Sequence, residues 1–152
     1  GYANSVGFKN SFILAPNYPA GKDALTGYKR YFSGDLAGEV YTKLGQNDYA
    51  AELAQIRASG ADSIFFFLPG GMGIAFMKQY AQSGITLPVV GPAFSFDQGI
   101  LKAVGKAALG VKNTSQWSKD IQNDATNIPK IYPDLVVIMF HWYSLKYLGL
   151  QC

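Results

Sequence analysis

The sequence predicts an α/β fold, a doubly wound parallel sheet with helices on both faces, and three observations predict it. First, a short apolar strand repeatedly runs into a small-residue loop and then a helix. The loops read Ala15-Pro16-Asn17-Tyr18-Pro19-Ala20-Gly21, Leu44-Gly45-Gln46-Asn47, Leu68-Pro69-Gly70-Gly71 and Gly91-Pro92-Ala93-Phe94-Ser95-Phe96. Such alternation gives parallel strands joined by right-handed crossovers. Second, the stretch from Asp62 to Leu68 is a nearly continuous apolar run, as expected of a central strand covered on both faces. Third, the chain has 152 residues and is 49% hydrophobic, enough for one domain with a real core.

Each element has a local reason. Tyr2 to Val6 reads as the end of a helix, stopped by Gly7. The first strand runs from Phe8 to Ala15 around Phe12-Ile13-Leu14, and Pro16 ends it. A helix from about Ala20 to Phe32 turns Leu25, Tyr28 and Phe32 inward, with Gly34 as its stop. Gly38 to Leu44 alternates as a second strand, with Val40, Thr42 and Leu44 on one side. Asn47 or Asp48 caps the next helix, whose Tyr49, Leu53 and Ile56 form an i, i+4, i+7 stripe ending at Gly60. After the third strand, Asp62–Leu68, a helix from Gly71 to Ser83 buries Met72, Phe76, Met77 and Tyr80 and closes at Gly84. Leu87 to Gly91 is the fourth strand. Ser95-Phe96-Asp97-Gln98 is a capping box that opens a short helix through Ile100, Leu101 and Val104 to Gly105, and Leu109 to Lys112 is a candidate fifth strand. The stretch from Leu135 to Leu150 is too short and too interrupted for a membrane span and reads as a buried strand or helix.

Catalytic chemistry finds little to work with. The net charge is +3 with both signs interspersed, so no basic stripe points to nucleic acid. One cysteine, Cys152, and one histidine, His141, leave no internal disulfide, no cysteine metal site and no zinc pair within this sequence. Asp23, Asp48 and Asp97 each fall in a predicted first helical turn, where a carboxylate favours the positive end of the dipole. Gly71-Met72-Gly73 begins like a dinucleotide fingerprint, but the third small residue is replaced by Phe76 and no ribose-binding acid follows Val89-Val90. Its expected role is a tight turn that brings backbone N–H groups toward a ligand or water. Tyr18, Phe94 and Phe96 lie past strand ends, where a ligand or partner contact is favoured over ordinary packing.

Taken together, Phe8-Lys9-Asn10, Ala15 to Asp23, Tyr49 to Ile56 with Gly60-Ala61-Asp62, Phe76 to Tyr80 and Gly91-Pro92 resemble, in order, the second lobe of type I periplasmic solute-binding proteins. The branch is that of branched-chain amino acid ABC transporters and their aromatic-acid-binding relatives. The resemblance covers residues 1–120 and leaves 121–152 as an atypical tail, a strand or helix packing on the lobe. It implies a two-lobed protein that closes over a small carboxylate and docks on an ABC-transporter permease. The missing first lobe would hold most of the carboxylate, and no cofactor and no catalysis are implied. The implied location is periplasmic or extracellular. Gly1-Tyr2-Ala3 opens without a leader, so a signal peptide is expected to have been removed or to lie outside this stretch.

The implied ligand-binding residues are Asn17, Tyr18, Ala20, Leu68, Pro69, Gly70, Gly71, Phe94, Phe96 and Asp97. In the amino-acid binders a Tyr before the first-loop Gly and a Glu in the third loop hold the ligand ammonium. Here Ala20 and one of Gly70, Gly71 or Met72 stand at those positions, which favours a ligand without an amine, such as an aromatic carboxylate. The alternative from another class is a flavodoxin-like domain binding a nucleotide or flavin on a similar sheet.

Overall fold

The computed structural model of the chain describes residues 1–92, 95 and 98–114. In chain order the elements are α1 (Tyr2–Ser5), β1 (Asn10–Pro16), α2 (Pro19–Tyr31), β2 (Asp35–Thr42), α3 (Ala50–Ala58), β3 (Ser63–Phe66), α4 (Gly71–Gln82), β4 (Val89–Pro92), α5 (Gln98–Val104), a 3-10 turn (Gly105–Ala108) and β5 (Lys112–Thr114). All strand pairs are parallel, and the spatial order is β2-β1-β3-β4-β5. The chain therefore moves outward from β1 to β2, then returns past β1 and builds the other half of the sheet. With right-handed crossovers, that reversal places α2 on one face and α3, α4 and α5 on the other.

The two faces have different cores. The larger gathers Phe12, Leu14, Tyr49, Leu53, Ile56, Ile64, Phe66, Leu68, Phe76, Met77 and Val89 beneath α3, α4 and α5. Phe76 is its hub: its ring lies 5.4 Å from Tyr49, 5.2 Å from Phe66 and 6.2 Å from Tyr80. The smaller holds Ile13, Ala15 and Leu25 under α2, with Tyr28, Phe65 and Phe67 packed against it. Near the start of the sheet, Ser11 Oγ lies 2.6 Å from Ser63 Oγ and 2.8 Å from Tyr28 Oη. Ser11 and Ser63 are register partners, so this buried hydroxyl pair pins β1 to β3.

Several boundaries differ from the sequence reading, each for a physical reason. β2 begins at Asp35 because the Asp35 N–H already donates to Lys9 O, and it ends at Thr42, opposite the last residue of β1. Leu44, expected on its inner side, is exposed beyond the ladder. Gly34 is not a left-handed stop: a Cβ there would lie 2.5 Å from Lys9 O, so its role is close approach. β1 ends at Pro16 as expected, with Pro16 included in the strand, and it starts at Asn10 rather than Phe8. β3 is shorter than 62–68, β4 starts at Val89 where pairing with Ile64 begins, and β5 lies at Lys112–Thr114 after an exposed Leu109. Asp23 is the fifth residue of α2, outside its first turn. Asp48 precedes α3 and accepts the Ala50 N–H at 3.0 Å, while the Tyr49 N–H goes to Gln79 Oε1 at 2.8 Å. The reading of Leu135–Leu150 lies outside the described residues.

Candidate functional site

Ligands of open α/β sheets bind at the carboxyl ends of the strands, where the strand order reverses. In the order β2-β1-β3-β4-β5 that reversal falls between β1 and β3. The loops bordering it are Asn17-Tyr18 after β1 and Phe67-Leu68-Pro69-Gly70 after β3. Six of the sequence-predicted residues, Asn17, Tyr18, Ala20, Pro69, Gly70 and Gly71, thus meet on one rim, each exposed or half-buried. Phe94, Phe96 and Asp97 lie outside the described residues.

Leu68 is a correction. Its side chain is fully buried in the larger core, so only its main chain reaches the rim. That main chain is occupied too, because the Leu68 N–H donates to Ser95 Oγ at 3.2 Å. Ser95, read as part of a capping box, is thereby a buried tie between the loops after β3 and β4.

The helix starts that flank the rim are set by glycines. A Cβ on Gly21 would lie 2.0 Å from Pro16 O, and one on Gly73 would lie 2.4 Å from Leu68 O. Each glycine lets the first turn of its helix rest on a main-chain carbonyl, that of Pro16 at the end of β1 or of Leu68 in the loop after β3. Gly70 makes the turn into α4 with φ +63°, a conformation that favours glycine, and a Cβ at Gly70 or Gly71 would meet open space. The Gly71-Met72-Gly73 segment, expected as a tight turn, is instead the first turn of α4; the turn lies at Pro69-Gly70, and the close helix–loop contact is made at Gly73. Backbone N–H groups of the first turns of α2 and α4 flank the open rim, a setting that suits anionic or polar ligand atoms.

Aromatic surface completes the wall. The Tyr18 ring lies 6.4 Å from the Phe67 ring at 30°. Burial raises the Tyr18 pKa above its usual value, which keeps the hydroxyl a neutral donor. Phe67, half-buried at the step before Leu68-Pro69, packs against the small core of Ile13, Ala15 and Leu25, as its place in an apolar run suggests. Farther along the rim, Gln46 Oε1 accepts the Lys43 N–H at 3.0 Å and Gln46 Nε2 donates to Glu52 Oε1 at 2.8 Å. The buried Thr42 Oγ1 and Glu52 Oε2 have no partner among the described residues. Two hollows lie away from the rim. One, of about 270 Å³, is lined by Tyr2, Tyr28, Tyr31, Phe32 and Phe65; the other, of about 400 Å³, by Ile85, Leu87, Val89 and Leu109.

The architecture is an open parallel sheet whose strand-order reversal carries a rim seated on glycines. The profile of the periplasmic binding protein family matches residues 1–128, and the chain belongs to that family. It is 29% identical over 119 residues to Leu/Ile/Val-binding protein homolog 6 of Brucella melitensis, covering 74% of this chain and 30% of that protein. The chain thus spans about a third of the length of the curated relatives it matches. Among solved structures, an ABC-transporter solute-binding protein of R. palustris in complex with 4-hydroxybenzoate aligns with a TM-score of 0.76 at 26% identity, over 83% of this chain and 36% of that one. Another from R. palustris, in complex with benzoate, aligns at 0.77 and 24% identity, over 87% and 39%. A leucine-binding protein of Thermotoga maritima aligns at 0.70 and 17% identity, over 88% and 39%, a likeness of fold. None of these relatives is a flavin or nucleotide protein.

Proposed function

We propose that this chain is one ligand-binding lobe of an ABC-transporter solute-binding protein, and that it captures a small carboxylate without transforming it. The observation that carries the reading is the strand-order reversal at β1 and β3, where the starts of α2 and α4 flank one rim in a chain of this family. Asn17, Tyr18, Ala20, Pro69, Gly70 and Gly71 form the described part of this lobe's wall, with Phe94, Phe96 and Asp97 assigned to its continuation. We assign residues 1–120 to the lobe and leave 121–152 as an atypical tail. In the whole protein the first lobe closes over the ligand from the other side, and the closed form docks on a permease in the periplasm or outside the cell.

One wall buries only part of a ligand, so the chain alone binds weakly. Backbone amide mapping by NMR tests the reading: millimolar benzoate or a branched-chain carboxylate is expected to shift the amides of residues 17, 18, 20, 21 and 70–73, and benzyl alcohol to leave them unmoved. Equal shifts with the alcohol, or shifts scattered around the molecule, would refute carboxylate capture at this rim. Ligand recovered chemically unchanged after prolonged incubation supports binding without catalysis, and a product peak would refute it.

A further inference from the structure

The larger core reaches the surface at the end of the sheet opposite the rim. All strands are parallel, so the amino ends of β4 and β5 lie together, and the hollow of about 400 Å³ sits between them and the end of α4. Ile85, Leu87 and Val111 line it from the edge of the core, and Leu109, 80% exposed, lines it as well. Both walls are fixed by the chain's own hydrogen bonds. On one side the Tyr80 hydroxyl donates to Leu87 O at 2.6 Å, while Ser83 Oγ donates to Tyr80 O at 2.7 Å and accepts the Ile85 N–H at 3.2 Å. On the other, the Leu109 N–H donates to Lys106 O at 3.1 Å and the Val111 N–H to Ala108 O at 3.2 Å. The hollow therefore has a preformed apolar floor of the kind that ligands fill.

Its charge is one-sided. Among the described residues Lys106 is the one charged side chain in its lining, and Lys106 makes no ion pair there. Residues 1–62 carry six basic and six acidic side chains and residues 115–152 three of each. The whole formal charge of +3 thus falls on 63–114, where Lys78, Lys102, Lys106 and Lys112 stand against one acid, Asp97. An apolar hollow beside an unpaired cation, in a stretch of positive potential, suits a ligand that is apolar along its length and anionic at one end. We infer that this hollow is a second ligand site, apart from the cleft, for a free amphipathic anion: an aliphatic chain laid over Ile85, Leu87 and Leu109 with its anionic head at Lys106. The site is independent of carboxylate capture at the rim.

NMR titration of the full chain with octanoate, butanoate, octanol and octylammonium tests the site, read at the amides and methyl groups of Ile85, Leu87, Leu109 and Val111. Millimolar octanoate is expected to shift these signals, and butanoate to bind more weakly by up to about fourfold per missing methylene. Lys106→Gln is expected to lower octanoate affinity about two- to fivefold, to the level of octanol, the scale of one exposed ion pair. Leu109→Ser is expected to weaken octanoate while benzoate still shifts the rim amides at 70–73. The wild-type ligand series gives the same decision should either variant fail to fold. Octylammonium bound as tightly as octanoate, or no shift at the hollow at any octanoate concentration below its micelle threshold, would overturn the site and leave the rim reading as it is. Sedimentation with phosphatidylglycerol vesicles separates a free anion from a lipid surface: the chain is expected to stay in solution, and vesicle binding that Leu109→Ser abolishes would overturn the free ligand.

Discussion

Helix α2 contains two glycines whose replacement by alanine should have opposite consequences. At Gly21 a Cβ would lie 2.0 Å from Pro16 O and 3.1 Å from its carbonyl carbon, whereas at Gly27 it would meet nothing within 4 Å. An unstrained C···O contact is about 3.3 Å, so Gly21→Ala must move the helix start by more than about 1 Å. Pro16 cannot yield, because it is paired with Thr42 and its oxygen accepts the Tyr18 N–H at 2.9 Å. Both substitutions gain the same helix preference, about 1 kcal/mol for alanine over glycine. That term cancels between them and leaves the steric cost, about 3 kcal/mol at the upper end of overpacking because the clash is with backbone. In a chain of this size the gap corresponds to about 6–12 °C in midpoint. Gly27→Ala is expected to melt slightly above the wild type and Gly21→Ala well below it, in thermal and urea unfolding followed by circular dichroism. Coincident midpoints for the two variants would refute the claim that the first turn of α2 is seated on the strand end.

Three further outcomes follow from individual groups. Thr42→Val removes a buried hydroxyl that has no partner among the described residues, and is expected to raise the urea midpoint by the equivalent of about 1 kcal/mol; a lower midpoint would show that the hydroxyl is satisfied. Burial pushes the Asp62 carboxyl up, but hydrogen bonds from the Lys9 N–H, Ser63 Oγ and the Asn10 N–H outweigh it and hold the pKa below the usual 3.8. The resulting stability is present above about pH 4 and fades as pH falls through the lowered pKa, so Asp62→Asn should soften the acid limb of the pH–stability curve. Burial, with the nearby Glu52 charge, pushes the Tyr49 hydroxyl up to about 12. A raised tyrosine pKa contributes stability that is complete below pH 10 and lost as pH climbs through 12, so Tyr49→Phe should lose less stability over that window. An unchanged alkaline limb in that variant would refute it.

Much of the fold was legible because burial imposes simple periods. Tyr49, Leu53 and Ile56 sit at helical spacing and all three are buried, and the uniform apolar run of β3 lies at the centre of the sheet. Strand ends were less legible, because a parallel strand stops where its neighbour stops, and that neighbour is distant in sequence. β2 illustrates this: its limits at Asp35 and Thr42 are those of β1, not of its own alternation. The rim divides in the same way. Asn17, Tyr18 and Gly70 could be placed from turn chemistry, whereas Leu68 turned inward and Phe67 half outward because one residue's shift along a strand exchanges faces. The pairing of Tyr18 with Phe67 joins loops separated by two crossovers, which no local pattern encodes.

Gly21 and Gly73 share a geometry that links fold to binding. Each is the third residue of its helix, and each rests on the carbonyl oxygen of the residue five positions earlier, Pro16 or Leu68. The helix N-termini on either side of the rim are therefore located by backbone contact, independently of the side chains that face the cleft. Residues such as Tyr18 and Pro69 can then vary in chemistry without displacing the N–H groups behind them. The consequence is a separation of effects. Tyr18→Ala is expected to weaken ligand-induced shifts while changing stability by no more than about 1 kcal/mol, the scale of one aromatic contact. Gly73→Ala, whose Cβ would lie 2.4 Å from Leu68 O and 3.4 Å from Ser95 O, should lower both stability and binding because it moves the wall itself. Full binding retained in Gly73→Ala, or a large loss of stability in Tyr18→Ala, would mean that the side chains rather than the backbone hold the rim in place.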